Sequence, residues 1–118
     1  MNVIFNQSLE VAVMEERASA YSSLPRLVPS NTFEQVPFLV SVQPESSEEL
    51  GEARPQTVQR LILITPPGTD IPGLSAASRV RVGGVMVCEV VGVPARWPDP
   101  YTPGAVHHIE AVLEVVNG

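Results

Sequence analysis

The chain has 118 residues, of which 44% are hydrophobic and 17% charged, the balance of one globular domain with a modest core and not of a disordered segment. Seven basic residues against thirteen acidic ones give a formal charge of −6, which excludes the basic footprint that a sequence-specific nucleic-acid binder needs. The single cysteine cannot form an internal disulfide, no apolar run is long enough to cross a bilayer, and the N-terminus lacks a basic region followed by a long apolar stretch. A soluble protein made in a cytoplasm, with no membrane partner, is the expectation.

Twelve prolines and eight glycines break the chain into short pieces. Val3 to Phe5 and Leu9 to Met14 read as short strands, the second with Leu9, Val11 and Val13 alternating. Glu15 to Gln35 then carries Ser22, Ser23, Pro25, Pro29 and Asn31, which stop any helix begun at Glu15, so it reads as a long loop or excursion from the domain. Val36 to Gln43 is a strand candidate with Phe38, Val40 and Val42 on one face. The acidic stretch Glu45 to Glu52 suits a short helix capped by Ser46 or Ser47. Thr57 to Thr65 is a strand ended by Pro66-Pro67-Gly68, and Thr69 to Ala77 is a loop.

Arg79 to Val91 has the pattern of a β-hairpin. Val80 and Val82 face one way, Met86, Cys88 and Val90 share a face on the return, and Gly83-Gly84 fits a two-residue turn with positive φ. Gly92 to Gly104 is a proline-rich loop around Trp97. Val106 to Val116 is a long strand with Ile109, Ala111, Leu113 and Val115 inward and His108, Glu110 and Glu114 outward. Five or six strands, little helix and no α/β alternation give a mainly β fold, a small antiparallel β-barrel with long loop excursions, as a single domain over residues 1–118 with the excursion at 15–35.

No cofactor and no catalytic group emerges from the chain. His107 and His108 are neighbours on a strand and should point to opposite faces, which prevents them from sharing a metal ion. Cys88 lies mid-strand among valines and reads as a buried small apolar residue. Glu45, Glu48, Glu49 and Glu52 lie in a polar segment and read as a solvated face, not a catalytic pair. The motifs G-x-S-x-G, H-E-x-x-H and C-x-x-C are absent, and Pro66 to Asp70 lacks the spacing of a phosphate loop, so an enzyme is not expected. Trp97 is the one tryptophan. It reads either as a plug closing one end of the barrel or as an anchor at an interface, where tryptophan and tyrosine are enriched. Pro98, Pro100, Tyr101 and Pro103 accompany it as interface candidates, and so do Tyr21, Leu24 and Leu27 of the excursion.

An ordered set of features carries a resemblance over about residues 36–118. Val40 to Pro44 precedes the acidic Ser46 to Glu49; Leu61 to Ile64 precedes Pro67-Gly68-Thr69-Asp70-Ile71; Arg79 to Val82 and Gly84 lead to Val90-Val91-Gly92 and Pro94; Trp97, Pro98, Pro100, Thr102, Pro103 and Gly104 precede the last strand. In this order they resemble the head-to-tail stopper, or head-closure, proteins of long-tailed bacteriophages. Cys88 departs from that pattern, in which the return strand often carries an aromatic residue.

The resemblance implies a small β-barrel that forms a ring of its own copies in the virion neck. Such a ring closes the DNA-filled head below the portal and adaptor, docks the tail terminator or tail tube, and lets packaged DNA pass without sequence-specific binding. It implies that the excursion of residues 15–35 reaches into the lumen or along a neighbour. The acids Glu45, Glu48, Glu49 and Glu52 are then the channel-facing candidates. Two other functions fit the same residues: an SH3-like barrel that binds a protein through Trp97, and another connector component such as an adaptor or tail-completion protein. An adaptor is mostly helical and a tail terminator is α+β, and this sequence shows few helical signals.

Overall fold

The computed structural model describes residues 3–19, 22–45 and 59–116. Among these there is no helix. Seven strands form one antiparallel sheet: β1 (Leu9–Ser19), β2 (Ser22–Gln35), β3 (Ser41–Pro44), β4 (Arg60–Ile64), β5 (Arg79–Val82), β6 (Met86–Pro98) and β7 (Val106–Val115). Their order in space is β2-β1-β5-β6-β7-β4-β3. Beyond Glu45, the segment expected to form a helix lies outside the described residues, and with it the channel-facing candidates Glu48, Glu49 and Glu52. Tyr21 lies outside them as well.

Period-2 alternation sets the inner face. Leu61, Leu113 and Val90 stand in one cross-strand row, and Leu63 lies opposite Ala111 in the next. All five are buried, with Leu63 and Leu113 fully excluded from solvent. Leu9 and Val82 face each other across β1 and β5, and Val80 faces Cys88 across β5 and β6. Ile71 and Leu74, from the connection between β4 and β5, join this core although neither belongs to a strand. Arg96 fixes that connection: its guanidinium donates to the carbonyls of Ile71 and Leu74, each at 3.0 Å, and approaches Asp70 at 3.3 Å.

The expected closed barrel does not form. The two ends of the sheet, β2 and β3, are consecutive in the chain. Between them Val40 meets Gln7, just before β1, at a single antiparallel bridge made by two backbone hydrogen bonds of 3.0 and 2.8 Å. A bend at Pro37-Phe38 takes the backbone out of the ladder there, so of the expected strand only Ser41 to Gln43, extended by Pro44, pairs with β4. Val3 to Phe5 is not a strand.

The largest difference from expectation is at residues 15–35. The described residues there, 15–19 and 22–35, take the excursion form of the expectation and not the loop, as most of a two-stranded ribbon. β1 pairs with β5 only near its start, through Leu9↔Val82, Glu10↔Arg81 and Val11↔Val80. Beyond this, Met14 to Ser19 pairs with Pro29 to Ser22 and with no other strand. Pro25 and Pro29 are tolerated because β2 is an end strand of the sheet, where a missing N–H breaks no second ladder. Two register shifts, between Ala12 and Met14 and between Arg17 and Ser19, absorb the extra residues of β2. At the ribbon's root Arg81 makes two hydrogen bonds of 2.8 Å to Glu10 and lies 4.5 Å from the centre of the Phe33 ring, tying β5, β1 and β2 together.

The β5–β6 hairpin forms as the alternation requires, with a three-residue turn in place of two. Val82 pairs with Met86, and Gly83 and Gly84 take φ of 63° and 78°, which only glycine adopts cheaply. Leu113→Ala is expected to lower the unfolding free energy by about 2–5 kcal/mol, because it leaves a cavity in the central row. Leu27→Ala, on the exposed ribbon, should change it by no more than about 0.5 kcal/mol. Urea denaturation of the two variants checks the contrast.

Candidate functional site

Trp97 lies in a strand. β6 continues past Val91 through a bulge at Gly92, where φ is 73°, and pairs again with β7 from Ala95↔Glu110 to Pro98↔Val106. β5 ends opposite Glu89, so this outer half of β6 has β7 on one side only. It is a local edge, and that is why Pro94 and Pro98 fit in a strand that is central elsewhere. The expected loop shrinks to residues 99–105, where Asp99 accepts from the Tyr101 N–H at 2.8 Å and Ala105 donates to the Thr102 carbonyl at 3.0 Å.

The tryptophan does not plug the core. It is 49% exposed and stands on the outer face of the sheet. Its ring stacks on His108, with centroids 6.2 Å apart and planes 13° from parallel. Along the same face run Ala95 and Val91 on β6, Val112 on β7, and Ile62 and Ile64 on β4, set side by side by the registers Ile62↔Val112↔Val91 and Ile64↔Glu110↔Ala95. Val93 projects beside them at 86% exposure. A shallow groove of about 250 Å³ follows this strip. Its far end is closed by charge: Arg60 pairs with Glu114 at 3.4 Å and Arg79 with Glu89 at 2.9 Å, which offsets the repulsion of the facing glutamates.

The two histidines depart from expectation. One step on β6, from Trp97 to Pro98, spans two on β7, from His108 to Val106, so His107 is the extra residue of a bulge. A bulge re-aims side chains, and here it brings the rings together with Nδ1 of His107 2.9 Å from Nδ1 of His108. Nε2 of His108 lies 2.9 Å from Glu110. A neutral His108 that donates from Nε2 to Glu110 must accept at Nδ1, so His107 donates. This chain of hydrogen bonds orients the imidazole beneath Trp97. Among the described residues no group of three or more His, Cys, Asp or Glu is placed to hold a metal ion.

The bulge is held from the other side as well. The Gly68 N–H donates to the His107 carbonyl at 2.7 Å, and the Ile109 N–H donates to the buried hydroxyl of Thr65 at 2.8 Å. Cys88 is fully buried, and desolvation pushes its thiol pKa above the ordinary value.

The described sequence candidates lie in three places. Trp97, Pro98, Pro100, Tyr101 and Pro103 are all exposed at the end of β6 and in the following loop. Leu24 and Leu27 are exposed on the ribbon, at 72% and 62%. Glu45 is exposed just past β3. Spacing alone does not mark His108 and Glu110 as the residues that orient the tryptophan, because only the bulge creates the contact. No protein-family model matches the chain, and no curated protein matches it.

Two outcomes follow. Thr65→Val leaves the Ile109 N–H buried without an acceptor and should cost about 1–3 kcal/mol in urea denaturation. The hydrogen bonds from Arg81 hold the Glu10 carboxyl below its ordinary 4.5. A lowered folded value contributes stability that is present above the unfolded value and lost as pH falls through the folded one. Arg81→Met should therefore flatten the loss of stability below pH 4.5, measured by thermal unfolding across acid pH.

Proposed function

We propose that the protein is a structural subunit of the neck of a long-tailed bacteriophage. Copies of it form a ring that closes the DNA-filled head below the portal and adaptor, and the ring docks the tail. The observation that carries the reading is the position of Trp97, half-exposed on an outer apolar strip that no other part of the described chain covers. A monomer gains nothing by holding its one tryptophan, Val93 and Tyr101 in solvent, whereas an assembly subunit buries such residues against neighbours. The ordered motifs from Val40 to Gly104 support the stopper assignment specifically, and a ribbon projecting from a small all-β body supports a part that reaches toward a lumen or a neighbour.

In this reading the packaged DNA meets a surface that does not grip it. The chain carries a net charge of −6, and Glu45, Glu48, Glu49 and Glu52 line the channel, so phosphates slide past without specific contacts. The protein is made in the bacterial host cytoplasm and ends in the virion. Trp97 also favours a second reading, a small SH3-like module that binds a peptide along the outer strip.

Particles assembled without this protein should show full-sized heads that have lost DNA, together with free tails, in negative-stain images. Trp97→Ala, which removes an exposed side chain, should reduce joined particles while leaving the subunit folded. Normal joined particles in the absence of the protein would sink the neck reading. A discrete peptide ligand lost on Trp97→Ala, with no particle defect, would instead establish the binding module.

A further inference from the structure

We propose that a second copy of this chain docks at the root of the β1–β2 ribbon, using the arginine-bearing face of its own ribbon. The inference deepens the ring reading, on which it rests, by naming the contact between copies. The receiving surface is a cleft of about 350 Å³ between the ribbon root and the β4–β5 connection. Val11, Val36, Ile71 and Pro72 give it an apolar lining, and Glu34 and Asp70 add carboxylates. Asp70 already faces Arg96, but Glu34 has no ion pair among the described residues.

The ribbon carries the complement. Arg17 and Arg26 are directly opposed across β1 and β2, a like-charge pair that destabilises a two-stranded ribbon unless anions flank it. Glu15 takes Arg17 at 3.1 Å, an exposed contact. Arg26 is the one described arginine with no ion pair. Val28, opposite Glu15, lies on the same face, so the surface offers an apolar side chain beside an uncommitted guanidinium. On a chain of net charge −6 this is a basic spot within an acidic surface, and it matches a cleft that is apolar with a spare carboxylate.

A ribbon cannot fill its own cleft. Met14 lines the cleft, and Arg17 lies three residues further along a paired strand, roughly 10 Å outward. Folding back would break the β1–β2 ladder. The donor is therefore another copy. Ribbon and cleft are different patches, so each copy gives one and receives one; passed on to a third copy the contact runs head to tail and builds a ring when the rotation closes, the arrangement the ring reading requires, whereas reciprocal exchange would stop at a dimer.

Sedimentation of the full chain over a concentration series tests this. The wild type should self-associate, less so as salt rises. Arg26→Glu and Glu34→Arg, both at exposed positions, should each fold and each weaken association about tenfold or more, because like charges then meet in the cleft. An equimolar mixture of the two variants should regain it, since every ribbon–cleft contact between unlike copies again pairs opposite charges. A wild type that stays monomeric at every soluble concentration, variants that associate like the wild type, or a mixture that stays apart overturns the proposal. So does a cleft that takes a peptide or small molecule while the chain remains monomeric. Association abolished by Trp97→Ala but indifferent to both charge reversals places the contact on the outer strip; this inference then fails while the ring reading stands.

Discussion

The inward row of β7 is the constraint on which the rest depends. Ile109, Ala111 and Leu113 fill the centre of the core between β4 and β6, and their alternation dictates what the opposite face presents. A slip of one residue would turn every one of them outward and bury Glu110 and Glu114. Because the row is fixed, His108, Glu110 and Val112 are committed to the outer face, and the neighbours they meet there are settled by register. The strip around Trp97 is thus a by-product of core packing as much as a feature in its own right. The bulge at His107 is where the strict alternation of β7 yields, and it is pinned by Gly68 and Thr65 from the neighbouring connection.

Both exposed features arise where a strand loses one of its two partners. β1 outruns β5 after Val11, and β6 outruns β5 after Glu89. In each case the free stretch keeps a single ladder; on β6 this admits Pro94 and Pro98 at the edge and leaves the apolar strip beside Trp97 with no second layer of the described chain over it. A four-residue β5 between β1 and β6 is therefore the origin of both the ribbon and the Trp97 edge. Lengthening β5 would cover backbone at both places and remove the features that distinguish the molecule.

The parts legible in the sequence are those where local pattern and tertiary packing agree. The β5–β6 hairpin, the burial of Cys88 and the facing of β7 follow from alternation and from the Gly83-Gly84 pair. The ribbon is not legible, because Glu15 to Gln35 has no sustained alternation: with both faces in solvent, neither is required to be apolar. Pro94 and Pro98 suggest a loop because a sequence does not show which half of a strand is an edge. The meeting of His107 with His108 depends on a bulge set by partner register, and the contribution of Ile71 and Leu74 to the core depends on the distant Arg96 guanidinium holding their carbonyls. The barrel expectation assumes that ends close along a ladder, whereas the only closure among the described residues is one bridge, from Val40 ahead of β3 to Gln7 ahead of β1.

The prolines of β2 have a further consequence. A bare ribbon of this kind would ordinarily be an invitation to polymerise, since a long exposed strand edge templates the addition of another strand. Pro25 and Pro29 withhold two N–H donors from that strand, and the bulged registers on either side spoil its straightness. Cross-β growth along β2 is thereby disfavoured, and a copy that meets the ribbon must recognise its side chains. An extended appendage with such an edge resists running into fibres at high concentration while its side-chain faces stay open to solvent.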